Sequence, residues 1–429
     1  MAQATWLLTN SGTWTTASNW SIDGISAVPG ADDDAIIAAA GYYTVSLTTS
    51  IIVNSITITD SSANLSIASV GGAVTVGSNL FNDGSVNLDN QYYGVGGSTL
   101  AIGGTLTNAG NVNMGGSALG ASTTLTAAAL NNTGAFNITA TGLAPTDTAT
   151  VLIASAAGFG TLGVLTGQVN LNGEADIDFT GGGQISTIAS GARLQLYSGA
   201  AITDGSGTSN SALTGLSVNA GELSVENTTL TATGNVTNNG QIDLDDQFYD
   251  AGNGLIAIGG TLTNTGNVYM GGSALGASTT LTAAALNNTG GFNITATGLA
   301  PADTATVLIA SAAGFGTLGV LTGQVNLNGE AYIDFAGGGQ ISTIAAGSQL
   351  QLFDGSRLAD AGTTASNSAL VGLADNAGEL RVAFTTLTTG GNLLNTGQID
   401  LDDEYYGSGG GLIAIDGTLN NTGNVYIGD

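Results

Sequence analysis

The sequence predicts an all-β fold made of short strands stacked coil upon coil, a β-solenoid, and three observations carry that expectation. The first is a recurring phrase, Leu-x-Asn-x-Gly-x-apolar-x-apolar. It runs through Leu80, Asn82, Gly84, Val86 and Leu88, then Leu106, Asn108, Gly110, Val112 and Met114, then Leu130, Asn132, Gly134, Phe136 and Ile138. It returns around Asn238, Asn264 and Asn288, and again around Asn395 and Asn421. The marked residues fall two apart, so an extended backbone turns them toward one face. The second observation is spacing: successive phrases lie 26 and then 24 residues apart, about one coil of a solenoid whose neighbours bury each other's apolar face. The third is composition, with 69 Gly and three Pro beside abundant Thr, Asn and Ser. These suit many strands joined by tight turns, and no sustained run of strong helix formers carries a 3.6-residue apolar period.

Residues 1–45 differ from the rest of the chain. Trp6, Trp14 and Trp20 are the only tryptophans, and they precede Pro29 and the acidic run Asp32, Asp33, Asp34. A first coil without a cover would present unpaired N–H and C=O groups to other chains, so a solenoid needs an atypical end, and large rings suit that duty. This segment is read as an N-terminal cap, with residues 46–429 as the solenoid proper. Alternating stretches such as Thr44-Val45-Ser46-Leu47, Ser55-Ile56-Thr57-Ile58 and Val74-Thr75-Val76 read as the first coils. Turn signals at Pro145 and Pro301 lead into Ala-rich runs, 148–160 and 304–316, which are read as short helices. Further strands are expected at 168–171, 175–179, 184–188 and 194–197.

A longer repeat overlies the phrase. The stretch from Leu100 to about Gly183 recurs almost verbatim from Ile256 to Gly339, an offset of 156, and Asp245 recurs as Asp402, an offset of 157. The sequence stops at Asp429 inside a phrase that both earlier copies continue, which reads as a C-terminal truncation.

The series Gly12-Thr13-Trp14, Asn19-Trp20, Pro29-Gly30 and Asp32-Asp33-Asp34-Ala35-Ile36, leading into Gly- and Asn-rich strands, resembles the start of many large bacterial surface proteins with autotransporter-like or haemagglutinin-like β-helix regions. The resemblance implies a right-handed parallel β-helix exported to the cell exterior, often with an adhesive role. The membrane barrel of an autotransporter is not present in this sequence. Met1-Ala-Gln-Ala-Thr-Trp6 lacks the basic start and apolar core of a leader, and no run of about 18 apolar residues could span a bilayer as a helix.

Charge bounds the partners. Thirty-one acidic residues face three arginines (Arg193, Arg357, Arg381), with no Lys and no His, for a net charge of −28. Such a surface repels phosphate backbones and anionic lipid, which disfavours nucleic-acid binding and direct bilayer docking. Without cysteine there are no disulfides, so stacking must supply stability.

The Asn positions of the phrase (Asn82, Asn108, Asn132, Asn238, Asn264, Asn288, Asn395, Asn421) are read as a structural ladder, stacked side chains bonding one another at a coil corner. The segments after the first phrase of each set are the candidate sites. Ile242 and Leu244 turn inward, so Asp243 and Asp245 are expected to project outward, with Asp246 entering a Gly-rich loop. Clustered hard oxygens can hold Ca²⁺, which makes Asp89, Asp243, Asp245, Asp246, Asp250, Asp400, Asp402 and Asp403 candidate ligands. The loop aromatics Tyr92, Tyr93, Phe248, Tyr249, Tyr405 and Tyr406 are candidate sugar-stacking groups. Catalysis is not expected: neither nucleophile triad nor metal-ligating His/Cys set is present, and Asp176, paired with Asp178, is replaced by Tyr332 beside Asp334 in the second copy. The chain therefore reads as a structural and adhesive segment of a secreted or cell-surface bacterial protein, such as an adhesin, biofilm matrix or self-assembling layer. A carbohydrate-binding or carbohydrate-degrading β-helix protein is the alternative. Expected partners are further copies of the chain, including end to end, and host or matrix surfaces, protein or polysaccharide.

Overall fold

A computed structural model describes residues 1–68, 72–90, 96–141, 146–246, 252–273, 275–297, 303–361, 367–402 and 409–428. The chain forms two compact units, Met1–Gly215 and Leu216–Asp429. Each is a β-solenoid of stacked parallel strands. Among the described residues there is no α-helix, and none long and apolar enough to cross a membrane.

In the first unit a coil carries three short strands. One stack runs through Asp34–Ile37, Ser55–Ile58 and Leu80–Asn82 to 105–108. A second runs through Tyr43–Leu47, Ala63–Ile67, Ser85–Leu88, Asn111–Gly116, Ala135–Ala140, Gln168–Gly173 and Arg193–Tyr197. A third includes Ala73–Val76, 99–102, Ala149–Ile153 and Ala175–Phe179. The ten-residue strand Thr99–Asn108 serves two stacks, with a register shift between Ile102 and Thr105 at the Gly103-Gly104 bend. Inward residues alternate with outward ones, and Val86, Leu88, Val112, Met114, Phe136 and Ile138 are all buried. In-register parallel pairing sets like residues on like (Leu80, Leu106 and Leu130 form one column), so a phrase that buries its apolar positions once does so at every coil.

The phrase does not lie on one straight strand. It bends at its glycine: Leu80–Asn82 and Ser85–Leu88 belong to different stacks, and Asn82 sits at the corner between them. There the Asn82 amide donates to Asn108 Oδ1 (2.7 Å) and to the Asn111 carbonyl (2.9 Å), and Asn108 repeats this with Asn132 (2.7 Å) and Ala135 (3.0 Å). In the second unit the same pair of bonds runs from Asn219 to Asn238, Asn264 and Asn288, and from Asn376 to Asn395 and Asn421. Asn219 and Asn376 escape the phrase because Ser217 and Ala374 stand where it has Leu; the shorter pattern Asn-x-Gly-x-apolar-x-apolar finds both. The glycine is required by crowding. A Cβ on Gly110 would overlap the Gly84 carbonyl oxygen, and one on Gly134 the Gly110 oxygen.

The ladder has ends. Below Asn82 the register partner is Ile58, and below Asn376 it is Ile344, so the Oδ1 atoms of Asn82 and Asn376 are buried without a donor. Above Asn132 the amide turns to the Gly134 and Thr166 carbonyls, and Thr166 Oγ1 donates to the Asn132 carbonyl at 2.6 Å. Thr322 ends the Asn288 ladder in the same way.

At the N-terminus, Gln3–Trp6 pairs parallel with Asp34–Ile37 and antiparallel with Trp20–Ile22. Trp6, Trp14 and Trp20 are fully buried; Trp14 and Trp20 meet edge to face at 4.6 Å, and Trp20 Nε1 donates to the Trp14 carbonyl. The rings thus fill the end of the first coil, while the reversed strand covers its edge.

The Ala-rich runs are not helical. Ala149–Ile153 is a strand with Ala149, Val151 and Ile153 inward, as is its copy Ala305–Ile309. Alternation of period two outweighs the helical propensity of alanine here because two neighbouring strands already offer a ladder. Beyond it Phe159 packs edge on to Phe179 at 5.6 Å, as Phe315 does to Phe335.

Candidate functional site

The acidic segments begin where a strand of the second stack ends. Leu88, Leu244 and Leu401 close their strands, and the next residue, Asp89, Asp245 or Asp402, takes a left-handed backbone with φ of 52°, 49° and 54°. Asp tolerates that conformation better than most L-residues, and it breaks the in-out alternation. The carboxylate consequently turns inward. Asp89 accepts from the Ser98 amide (2.9 Å), Ser98 Oγ (2.7 Å) and Thr123 Oγ1 (2.7 Å). Asp245 accepts from the Asn227 amide (2.9 Å) and the Gly254 amide (2.6 Å), and Asp402 from the Gly411 amide (2.9 Å). Asp89 and Asp245 are fully buried.

These residues are loop clasps, then, and the expectation that Asp245 projects outward is corrected by the sign of its φ, which turns the carboxylate inward. Asp89 and Asp402 share the left-handed turn, Asp89 fully buried and Asp402 half-buried. The remaining acidic candidates divide. Asp243 does face outward and accepts from Gln241 Nε2 through both oxygens at 2.8 and 2.9 Å. Asp400 is buried, bonded by Gln398 Nε2 and by Arg381 Nε at 3.2 Å. Asp246 is exposed, while Asp250 and Asp403 lie outside the described residues, as do Tyr92, Tyr93, Phe248, Tyr249, Tyr405 and Tyr406. Among the described residues no three acidic side chains converge as a metal-holding group.

The pair Asp176 and Asp178 lies outward on the third stack. Asp178 accepts from Thr203 Oγ1 (2.8 Å) and the Gly205 amide (2.7 Å), whereas Asp176 Oδ1 is buried with no donor. Burial first, and the Asp178 carboxylate second, push the Asp176 carboxyl up to about 6. In the second copy Tyr332 takes its place, with the Arg357 guanidinium 4.0 Å above the ring and 3.5 Å from Glu330.

A different surface is built with more regularity. On the outer side of the second stack Asn113 donates to Asn87 (2.8 Å), Asn137 to Asn113 (2.9 Å) and Asn170 to Asn137 (2.7 Å), a second amide column at strand spacing. All four are half-buried. Neighbouring outward positions of these strands are Ser85, Asn111, Ala135, Thr139, Gln168 and Asn172, none of them charged. The second unit repeats part of it, with Asn326 donating to Asn293 at 2.7 Å. The signal was present in the phrase: Asn87, Asn113 and Asn137 each stand between its last two apolar residues. Each amide has two N–H donors and two acceptor lone pairs, and a link to one neighbour above and one below uses half of that capacity.

Comparison of the chain with models of known protein families, with curated proteins and with solved structures finds no match.

Two measurements check this geometry. Asp245→Ala removes the acceptor for two backbone amides and should cost about 2 to 4 kcal/mol in denaturant unfolding, equally in Ca²⁺ and in chelator. A loss seen only in Ca²⁺ would return a metal to the loop. For Asp176 the folded state holds the proton more tightly than the unfolded chain, so its contribution is intact at low pH and lost as pH rises from about 4 to about 6. Asp176→Asn should therefore raise the melting temperature near neutral pH and leave it unchanged below about pH 4. A pH-independent difference would contradict the assignment.

Proposed function

We propose that the chain is a structural and adhesive segment of an extracellular bacterial surface or matrix protein. The observation that carries this reading is the outward amide column, the same uncharged group presented at successive coils of a chain whose net charge is −28. Single hydrogen bonds to such groups are weak in water. Many equivalent ones on a stiff scaffold gain avidity when the partner is itself repetitive, as a polysaccharide or a neighbouring copy is. Near-identical long repeats multiply one surface and do not single out a reaction centre, which favours attachment over catalysis. The acidic remainder keeps copies apart at low salt and lets them approach when it is screened.

The test displays the whole chain on a non-adherent bacterium under flow, over surfaces coated with polysaccharide or protein. Displaying cells should be retained or should cluster, and replacing Asn87, Asn113 and Asn137 together by Ser should reduce this while circular dichroism stays β-rich. Retention and clustering no greater than for bare cells on every coating would overturn the reading.

A further inference from the structure

In the second unit the amides next to the corner form a groove. Its volume is about 530 Å³, and Gln324, Gln349, Glu379, Gln398 and Asn424 line it. These five side chains are register partners in turn: Gln324 with Gln349, Gln349 with Glu379, Glu379 with Gln398, and Gln398 with Asn424. The groove therefore crosses five consecutive strands, one side chain from each, at a spacing of about 4.8 Å. Gly378 and Gly397 lie in its wall, where a Cβ would collide with the backbone of the neighbouring coil. Four of the five side chains are neutral amides. The fifth, Glu379, accepts from Gln349 Nε2 at 3.0 Å and is ion-paired with Arg381, which it shares with Asp400.

We infer that this groove binds a neutral polysaccharide, laid along the stack with its hydroxyls against successive amides. The inference rests on the adhesive role proposed for the chain and names the partner at one site. A hydroxyl both donates and accepts, matching the two faces of an amide group. Polyanions are turned away by the acidic surroundings. An extended peptide advances about 3.4 Å per residue and falls out of step with coils about 4.8 Å apart, whereas one ring of an extended β-1,4-linked glycan advances by close to a coil. A contact repeated in phase at each coil supplies the avidity that isolated hydroxyl contacts lack.

The test uses the full chain in pull-down with insoluble neutral polysaccharides (cellulose, chitin, a β-1,3-glucan) and in affinity electrophoresis with soluble neutral glucan and anionic alginate. Gln324 and Asn424 are exposed, so Gln324→Glu with Asn424→Asp keeps shape and fold while replacing two donor-acceptor groups by carboxylates. The wild type should be held by at least one neutral polysaccharide and not by alginate, and the double variant should bind about tenfold less with an unchanged melting curve. Gln3→Glu, at an exposed position of the strand Gln3–Trp6 and outside both amide surfaces, should leave binding as it was. Equal binding by the double variant would place the contact elsewhere and overturn the inference, as would retention on alginate. Passage through every polysaccharide, with displayed cells still adhering to protein-coated surfaces, would overturn the glycan assignment and leave the adhesive reading standing.

Discussion

A parallel solenoid must turn a corner at every coil, and at a corner the backbone leaves its ladder while remaining inside the protein. In this chain the asparagine amide resolves that conflict. One N–H reaches the Oδ1 of the next asparagine and another the carbonyl three residues beyond it, so each corner satisfies the polar groups of its neighbour. Left unmade, each buried group would cost about 1–3 kcal/mol, comparable to burying a large apolar side chain. The glycine two residues on is the steric half of the same arrangement, because stacked corners approach until carbonyl oxygen meets α-carbon. Register, strand length and the alternation of core residues all follow from where these corners fall.

The same economy governs the acidic residues. A chain with 31 carboxylates and three arginines cannot neutralise them in pairs. It places Asp89, Asp245 and Asp402 where backbone amides would otherwise be orphaned, while side-chain donors hold two others below the usual carboxylate range, Ser55 and then Asn54 for Asp34, and Ser206 and Ser211 for Asp204. In the first unit the outward amide column Asn87, Asn113, Asn137 and Asn170 is left uncharged. A neutral strip on an acidic body is a surface on which uncharged, hydroxyl-rich partners compete best.

Period and parity made much of this legible in the sequence. The phrase locates the coils and the ladder asparagines, since parallel in-register stacking forces one coil's solution onto the next. Parity fails where a single residue leaves the extended region, as Asp245 does, and it then assigns the wrong side to that side chain. Composition fails at 149–153, where an Ala-rich run opens with a strand rather than a helix. The phrase is also too strict at Asn219 and Asn376, where Ser217 and Ala374 stand in place of Leu. The outer asparagine column has the same period, but its members stand between the inward residues by which the phrase is defined.

Native-state hydrogen exchange on an Asn264→Ala variant tests the central claim that the corner amides hold successive coils in register. Asn264 sits inside a ladder and Asn267, three residues on, is exposed. Protection of the corner amides of Thr265, Gly266 and Gly291 should fall in Asn264→Ala by the equivalent of about 2 to 4 kcal/mol, while Asn267→Ala leaves it unchanged. Equal protection in both variants would contradict the account and leave apolar stacking alone to carry the fold.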